Sequence, residues 1–223
     1  MSTKRVLILG LLILAPILVF IFMSTFGEHH FGLKTYFPVT DDTGEVVTNA
    51  EGDTVFKEIP DFQLTSQKGE TFGKEDLDGN IYVADFFFAT CPGICKKMSS
   101  QLVRVQEAFQ NDTTVQLVSF TVNPEHDSAS VLQNYADMYG ADPDKWTFLT
   151  GPREEIYDLA QKGFYLPVQQ VEGQQDFIHS EKFMLVDKEH HVRGIYDGTD
   201  PVDVDRLITE IRVLQDAYSK END

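Results

Sequence analysis

A chain of 223 residues is long enough for one domain with a full core beside a short accessory segment. Its formal net charge of −18, with all but one of the 36 acidic residues beyond residue 34, excludes a nucleic-acid binder and disfavours contact with anionic lipid. The two cysteines could close only one disulfide, and so short a loop would restrict the unfolded chain too little for a purely structural bond.

Residues 6–26 are uncharged, and 21 residues at about 1.5 Å each can cross a bilayer core of roughly 30 Å. Pro16 interrupts the run, as membrane helices tolerate. Lys4 and Arg5 precede it and acids follow, so the expectation is a cytoplasmic stretch over residues 1–5 and a transmembrane anchor over 6–26, with the domain outside. A cleaved signal peptide would have a shorter apolar region, and Phe20-Ile21-Phe22-Met23-Ser24-Thr25-Phe26 is a poor cleavage site. Residues 27–54 are polar and turn-rich and read as a tether with a short strand near 36–39.

Regular patterning occupies residues 55–223. Gln67-Lys68-Gly69 lies between two short apolar stretches and predicts a hairpin. Residues 81–88 form an almost unbroken apolar run, as in a strand covered on both faces. Ile94, Met98, Leu102, Val105 and Phe109 recur at helical spacing. A strand is expected over 115–122, then a helix over 128–139 capped by Asp127-Ser128 and stopped at Gly140. A strand over 146–149 and a helix over 152–162 follow, the latter opened by Pro152 and closed by Gly163. Residues 177–186 and 192–196 alternate around a turn, and an amphipathic helix over 202–218 ends the pattern. The order predicts an α/β domain with a central mixed sheet flanked by helices, the thioredoxin plan.

Cys91 and Cys95 follow the first core strand in Thr90-Cys91-Pro92-Gly93-Ile94-Cys95-Lys96, where a helix N-terminus favours thiolate. If both lie on one helical turn, their spacing puts the sulfurs on one face, within reach of a disulfide or of one soft metal ion. His179 opens the late hairpin strand, which in a thioredoxin layout begins beside the cysteine motif. Two thiolates and an imidazole suit copper, and zinc with a water is open on the same grounds. Other histidines are weaker candidates. His29 and His30 flank the apolar segment, His126 stands at a helix entrance, and His190 and His191 fall in a hairpin turn expected to face solvent. Met98 and Met184 read as core. The proline-led approach to a peroxidatic cysteine is absent upstream of Cys91.

Over about residues 55–218 the chain resembles the Sco/SenC family of membrane-anchored copper proteins. The resemblance rests on the strand followed by Cys91-Pro92-Gly93-Ile94-Cys95, on Thr121-Val122-Asn123-Pro124-Glu125-His126-Asp127-Ser128, on Leu149-Thr150-Gly151-Pro152-Arg153-Glu154-Glu155, and on the strand of His179. It implies a thioredoxin-like fold, copper bound by Cys91, Cys95 and His179, and a part in building the dinuclear copper site of cytochrome c oxidase subunit II or a similar client. It further implies a periplasmic copper donor and a single-pass place in the inner membrane, with the domain on the extracytoplasmic side. The chain departs from the family pattern at Lys96, where proline is usual, at Asn123, where aspartate is usual, and at Ile178, which replaces the aspartate before the histidine. A second reading makes the pair a membrane-anchored thiol–disulfide oxidoreductase, with Cys91 as nucleophile and Cys95 as resolving thiol.

Overall fold

The computed structural model describes residues 4, 12–19, 22, 32–167 and 180–221. They fall into two units, residues 1–32 and 33–223. In the first unit residues 12–19 are helical, and most of the expected anchor, with His29 and His30, lies outside the described residues. Among the described residues no helix is long and apolar enough to cross a membrane.

The second unit is built on one seven-stranded sheet. Its strands are β1 (Gln63–Ser66), β2 (Thr71–Gly73), β3 (Ile81–Phe87), β4 (Val115–Thr121), β5 (Trp146–Thr150), β6 (Lys182–Val186) and β7 (Val192–Asp197). They lie in the order β2-β1-β5-β4-β3-β6-β7. β3, β4 and β5 pair in parallel, and β1 and β6 join this centre antiparallel. Among the described residues, four α-helices accompany the sheet: α1 (Ile94–Ala108), α2 (Ala129–Tyr139), α3 (Arg153–Asp158) and α4 (Pro201–Glu221).

The apolar run of β3 is explained by cover on both sides, since all seven of its residues are buried. Val83 and Phe87 face a layer containing Met98 and Leu102 of α1, Leu132 of α2 and Leu207 of α4. Tyr82, Ala84 and Phe86 face the opposite layer, with Ile156 of α3, Leu159, Phe164 and Ile59. This is the α/β arrangement that the element order leads one to expect.

One helix differs from the sequence pattern in detail and another keeps to it. The segment read as one helix over 152–162 is α-helical only over Arg153–Asp158 and continues as a wider π turn over Leu159–Gly163. α2 stops where anticipated, at Gly140 with φ 61°, a left-handed conformation that glycine adopts without strain. Within residues 33–61, isolated bridges join Pro38 to Phe56, Thr40 to Val46 and Thr48 to Thr54. Tyr36 and Ile59 donate backbone hydrogen bonds to Val192 and His190 of the late hairpin. The polar segment therefore pairs with itself and with the sheet domain.

One carboxyl stands inside the sheet. Asp85 of β3 lies on the Val83–Phe87 face by strand alternation and is 2 % exposed. It accepts a hydrogen bond from Ser119 of β4, whose hydroxyl in turn accepts the indole N–H of Trp146 at 2.8 Å. Burial raises the Asp85 carboxyl to about 7, with the Ser119 bond opposing the shift. A folded-state value above the unfolded one means that this group's contribution is fully present below about pH 4 and is lost as pH rises through about 7. Asp85→Asn is expected to gain stability over the parent as pH rises, by about 2–4 kcal/mol at pH 8 and far less at pH 5. Paired urea melts at the two pH values check this; an equal difference at both would contradict it.

Candidate functional site

β3 ends at Phe87, and a turn through residues 88–93 carries the chain to α1. The helix opens at Ile94 with Gly93 as its N-cap, so Cys91 lies ahead of the helix and only Cys95 is within it. The condition under which their spacing would align both sulfurs on one helical turn is therefore not met. Cys91 instead acts as a cap: its Sγ accepts the Cys95 amide at 3.4 Å, and no side chain of Gly93 is available to do so. Both thiols are free and buried, at 7 % and 4 % exposed for Cys91 and Cys95.

The two sulfurs differ electrostatically. Burial opposes ionisation of Cys91, but the Cys95 thiol and the amides of Cys95, Gly93 and Ile94 outweigh it and hold Cys91 below the ordinary thiol range. Burial pushes Cys95 well above that range, reinforced by the hydrogen bond to Cys91 and by the negative charges of Cys91 and Asp85. The arrangement favours ionisation of Cys91 on the helix amides and opposes it at Cys95.

A cleft of about 690 Å³ opens over this pair. Pro92, Gly93 and Ile94 are exposed along it, and Ile94 shows 45 % of its surface. Leu166, Pro167 and Ser180 also line the cleft. They flank residues 168–179, so His179 lies outside the described residues, as does Ile178.

The remaining candidates stand apart from the sulfurs in role. Met98 and Met184 are core, as their spacing suggests, and His126 and Lys96 are exposed. His190 corrects an expectation: it is buried at 6 % exposure, because a positive φ of 63° turns it inward. Its Nε2 lies 2.9 Å from Asp78 Oδ1 and its Nδ1 3.5 Å from the Tyr82 hydroxyl. Ligand atoms of Asp187, Glu189 and His191 lie within 4.8 Å of one another. Asp187 is already committed there, since Oδ1 accepts the amides of Glu189 and His191 and Oδ2 accepts the Arg193 guanidinium at 2.9 Å. That cluster braces the β6–β7 turn.

The loop from β4 to α2, part of the resemblance, contains a side chain whose role differs from the one its spacing suggests. Asp127, expected as part of a helix cap, is fully buried; α2 has Ser128 as its N-cap and no side-chain cap bond. Asp127 reaches to Ala89, in the turn before Cys91. The sequence signal was an acid set between Pro124 and a helix; its destination in the turn after the neighbouring strand leaves no local trace. Asp85 was more legible, as one charge inside an apolar strand.

A faster reaction at Cys91 is the direct outcome of this asymmetry. With iodoacetamide at pH 7, Cys95→Ser should be alkylated at least about tenfold faster than Cys91→Ser. Mass spectrometry of timed samples checks the order, and equal rates or a faster Cys95 would contradict it.

The sequence profile described as SCO1/SenC matches residues 50–215. A protein of Bacillus subtilis described as "SCO1 protein homolog" is 32 % identical over 157 residues, which cover 70 % of this chain and 81 % of that protein. The structure of BsSco, described as a member of the Sco family of cytochrome c oxidase assembly proteins with a disulfide switch, is 31 % identical. It superposes with a TM-score of 0.62 over 70 % of this chain and 92 % of its own. Arabidopsis thaliana ScoI with copper bound is 25 % identical, with a TM-score of 0.58 over 70 % of this chain and 99 % of its own.

Proposed function

The chain belongs to the SCO1/SenC family, and on that footing we propose that it is a copper carrier. Its cargo is held by Cys91, Cys95 and His179 and passed to a cytochrome c oxidase during assembly of the dinuclear copper site of subunit II. The observation that carries this reading is a shared cleft: the cysteine pair lines one part of it, and Ser180, the neighbour of His179 in the chain, lines another. Two adjacent free sulfurs are a soft donor set, suited to cuprous ion, and an imidazole extends the set to cupric ion. The copper bound in the Arabidopsis relative supports the same cargo.

Loading displaces protons, because thiolate is the ligand. Cys91 gives up its proton readily on the helix amides. Cys95 gives up its proton when the cation's charge offsets the cost of a buried anion. Affinity therefore falls as pH drops. Release to a client follows by exchange of these sulfurs for the client's own. The apolar segment over residues 6–26 serves as a single inner-membrane anchor with the domain on the extracytoplasmic side. Anchoring near a membrane-bound client raises effective concentration, and a copper donor on that side supplies the ion.

A second reading is supported by the electrostatic asymmetry of the pair: a thiol–disulfide exchange in which Cys91 attacks a client disulfide and Cys95 resolves the mixed disulfide. The disulfide switch described for BsSco favours its inclusion. A Cys91–Cys95 disulfide and a bound copper ion use the same sulfurs, so the two activities exclude each other in time.

Anaerobic titration of the reduced protein with a cuprous chelator in competition should reach one copper per chain. His179→Ala should weaken the cupric complex by at least about tenfold while leaving cuprous stoichiometry at one. An unchanged cupric affinity would remove His179 from the ligand set, and a stoichiometry near zero in the parent would end the carrier reading. For the second reading, Cys95→Ser should trap a mixed disulfide through Cys91 with client protein.

A further inference from the structure

Asp127 sits at 0 % exposure in the loop between β4 and α2. Its Oδ2 accepts two hydrogen bonds, from the Thr121 hydroxyl at 2.5 Å and from the Ala89 amide at 3.0 Å. Thr121 Oγ1 also accepts the Asn123 amide at 3.0 Å, so one short relay runs from that loop into the turn that holds Cys91. Ala89 precedes Cys91 by two residues, and the Cys91 amide closes the same turn on the Phe88 carbonyl at 3.1 Å.

The other carboxylate oxygen of Asp127, Oδ1, is buried with no hydrogen-bond partner among the described residues. Leaving such a group unsatisfied costs on the order of 1–3 kcal/mol. Fold stability alone is therefore a poor reason for an acid at this position.

The loop that carries Asp127 is itself held firmly. The Tyr157 hydroxyl of α3 donates to the Val122 carbonyl at 3.1 Å, and Arg153 pairs with Glu125 at 3.2 Å. The amides of His126 and Asp127 both donate to the Asn123 carbonyl at 3.0 Å. α3 lies on the far layer of the sheet from α1. The carboxylate is thus a fixed point reaching from a braced loop to the short turn that precedes α1.

We propose that Asp127 is a positioning residue for the thiol pair: by fixing the Ala89 peptide it fixes the turn that seats the Cys91 sulfur against the Cys95 amide. The inference rests on Cys91 and Cys95 being the working pair and is independent of the cargo they hold. With the anchor removed the turn gains freedom, the Cys91 sulfur leaves the helix amides, and the reduced pair loses that support relative to the disulfide. Asp127→Asn keeps an acceptor for Ala89 and Thr121; Asp127→Ala does not.

The test is the redox equilibrium of the metal-free full chain in glutathione buffers, read by mass shift after alkylation. Two protein thiols give two electrons and two protons to one glutathione disulfide, forming the Cys91–Cys95 disulfide and two glutathione thiols. Asp127→Ala should move this equilibrium about tenfold toward the disulfide, about 30 mV, while Asp127→Asn stays within about threefold of the parent. An unshifted, folded Asp127→Ala overturns the proposal. Equal shifts in the two variants also overturn it, since the effect would then come from charge and not from the anchor. Should Asp127→Ala fail to fold, Thr121→Val removes one of the two donors that hold the carboxylate. It must shift the equilibrium the same way, and no shift overturns the proposal. A parent chain that forms no reversible Cys91–Cys95 disulfide overturns the working-pair reading beneath it, an outcome visible before any variant is compared.

Discussion

A buried sulfur can carry charge only where something replaces the water it has lost, and here that is the set of amides that open α1. Cys91 stands just outside the helix with its sulfur on the Cys95 amide, while Gly93 and Ile94 supply further N–H groups. Cys95 lies one step deeper and has no comparable relief. The three-residue interval lets one sulfur occupy the cap and the other the helix face behind it. Both remain adjacent, so either a bond between them or a shared ion is accessible.

The sheet exists to hold that point still. β3 is buried along its full length and ends directly at the turn, so the position of Cys91 is inherited from the most constrained strand. Parallel pairing to β4 through seven residues fixes where the Asn123–Asp127 loop leaves the sheet, beside the turn. The Val122 amide continues this pairing by donating to the Phe87 carbonyl at 2.8 Å. Two carboxyl groups, Asp85 and Asp127, are enclosed near this junction at a cost in desolvation, and both are partnered through hydroxyls on β4.

Much of the fold was legible because burial writes itself into spacing. The unbroken apolar run of β3, the helical recurrence from Ile94 to Phe109 and the stop at Gly140 each reflect a local rule that the tertiary structure obeys. The cysteine pair was legible as a site for the same reason, since it follows a core strand. The place of Cys91 relative to α1 was not, because proline and glycine at Pro92-Gly93 leave its backbone free to lie on the first turn or ahead of it. His190 faces inward through a left-handed backbone angle that its sequence neighbours do not announce. The backbone pairing within residues 33–61 is also hidden, since polar side chains leave no apolar alternation there. Asp127 shows the general limit: its position in a loop was readable, while its partner 38 residues away was not.

If one set of sulfurs serves both chemistries, oxidation must abolish loading. The decisive measurement is cuprous titration of the same preparation before and after quantitative conversion of Cys91 and Cys95 to the disulfide, with thiols counted in parallel. One ion per chain in the dithiol form, near zero in the disulfide form, and recovery on reduction is the expected result. Undiminished loading of the oxidised chain would contradict it, because the ion would then be held by groups other than these two sulfurs.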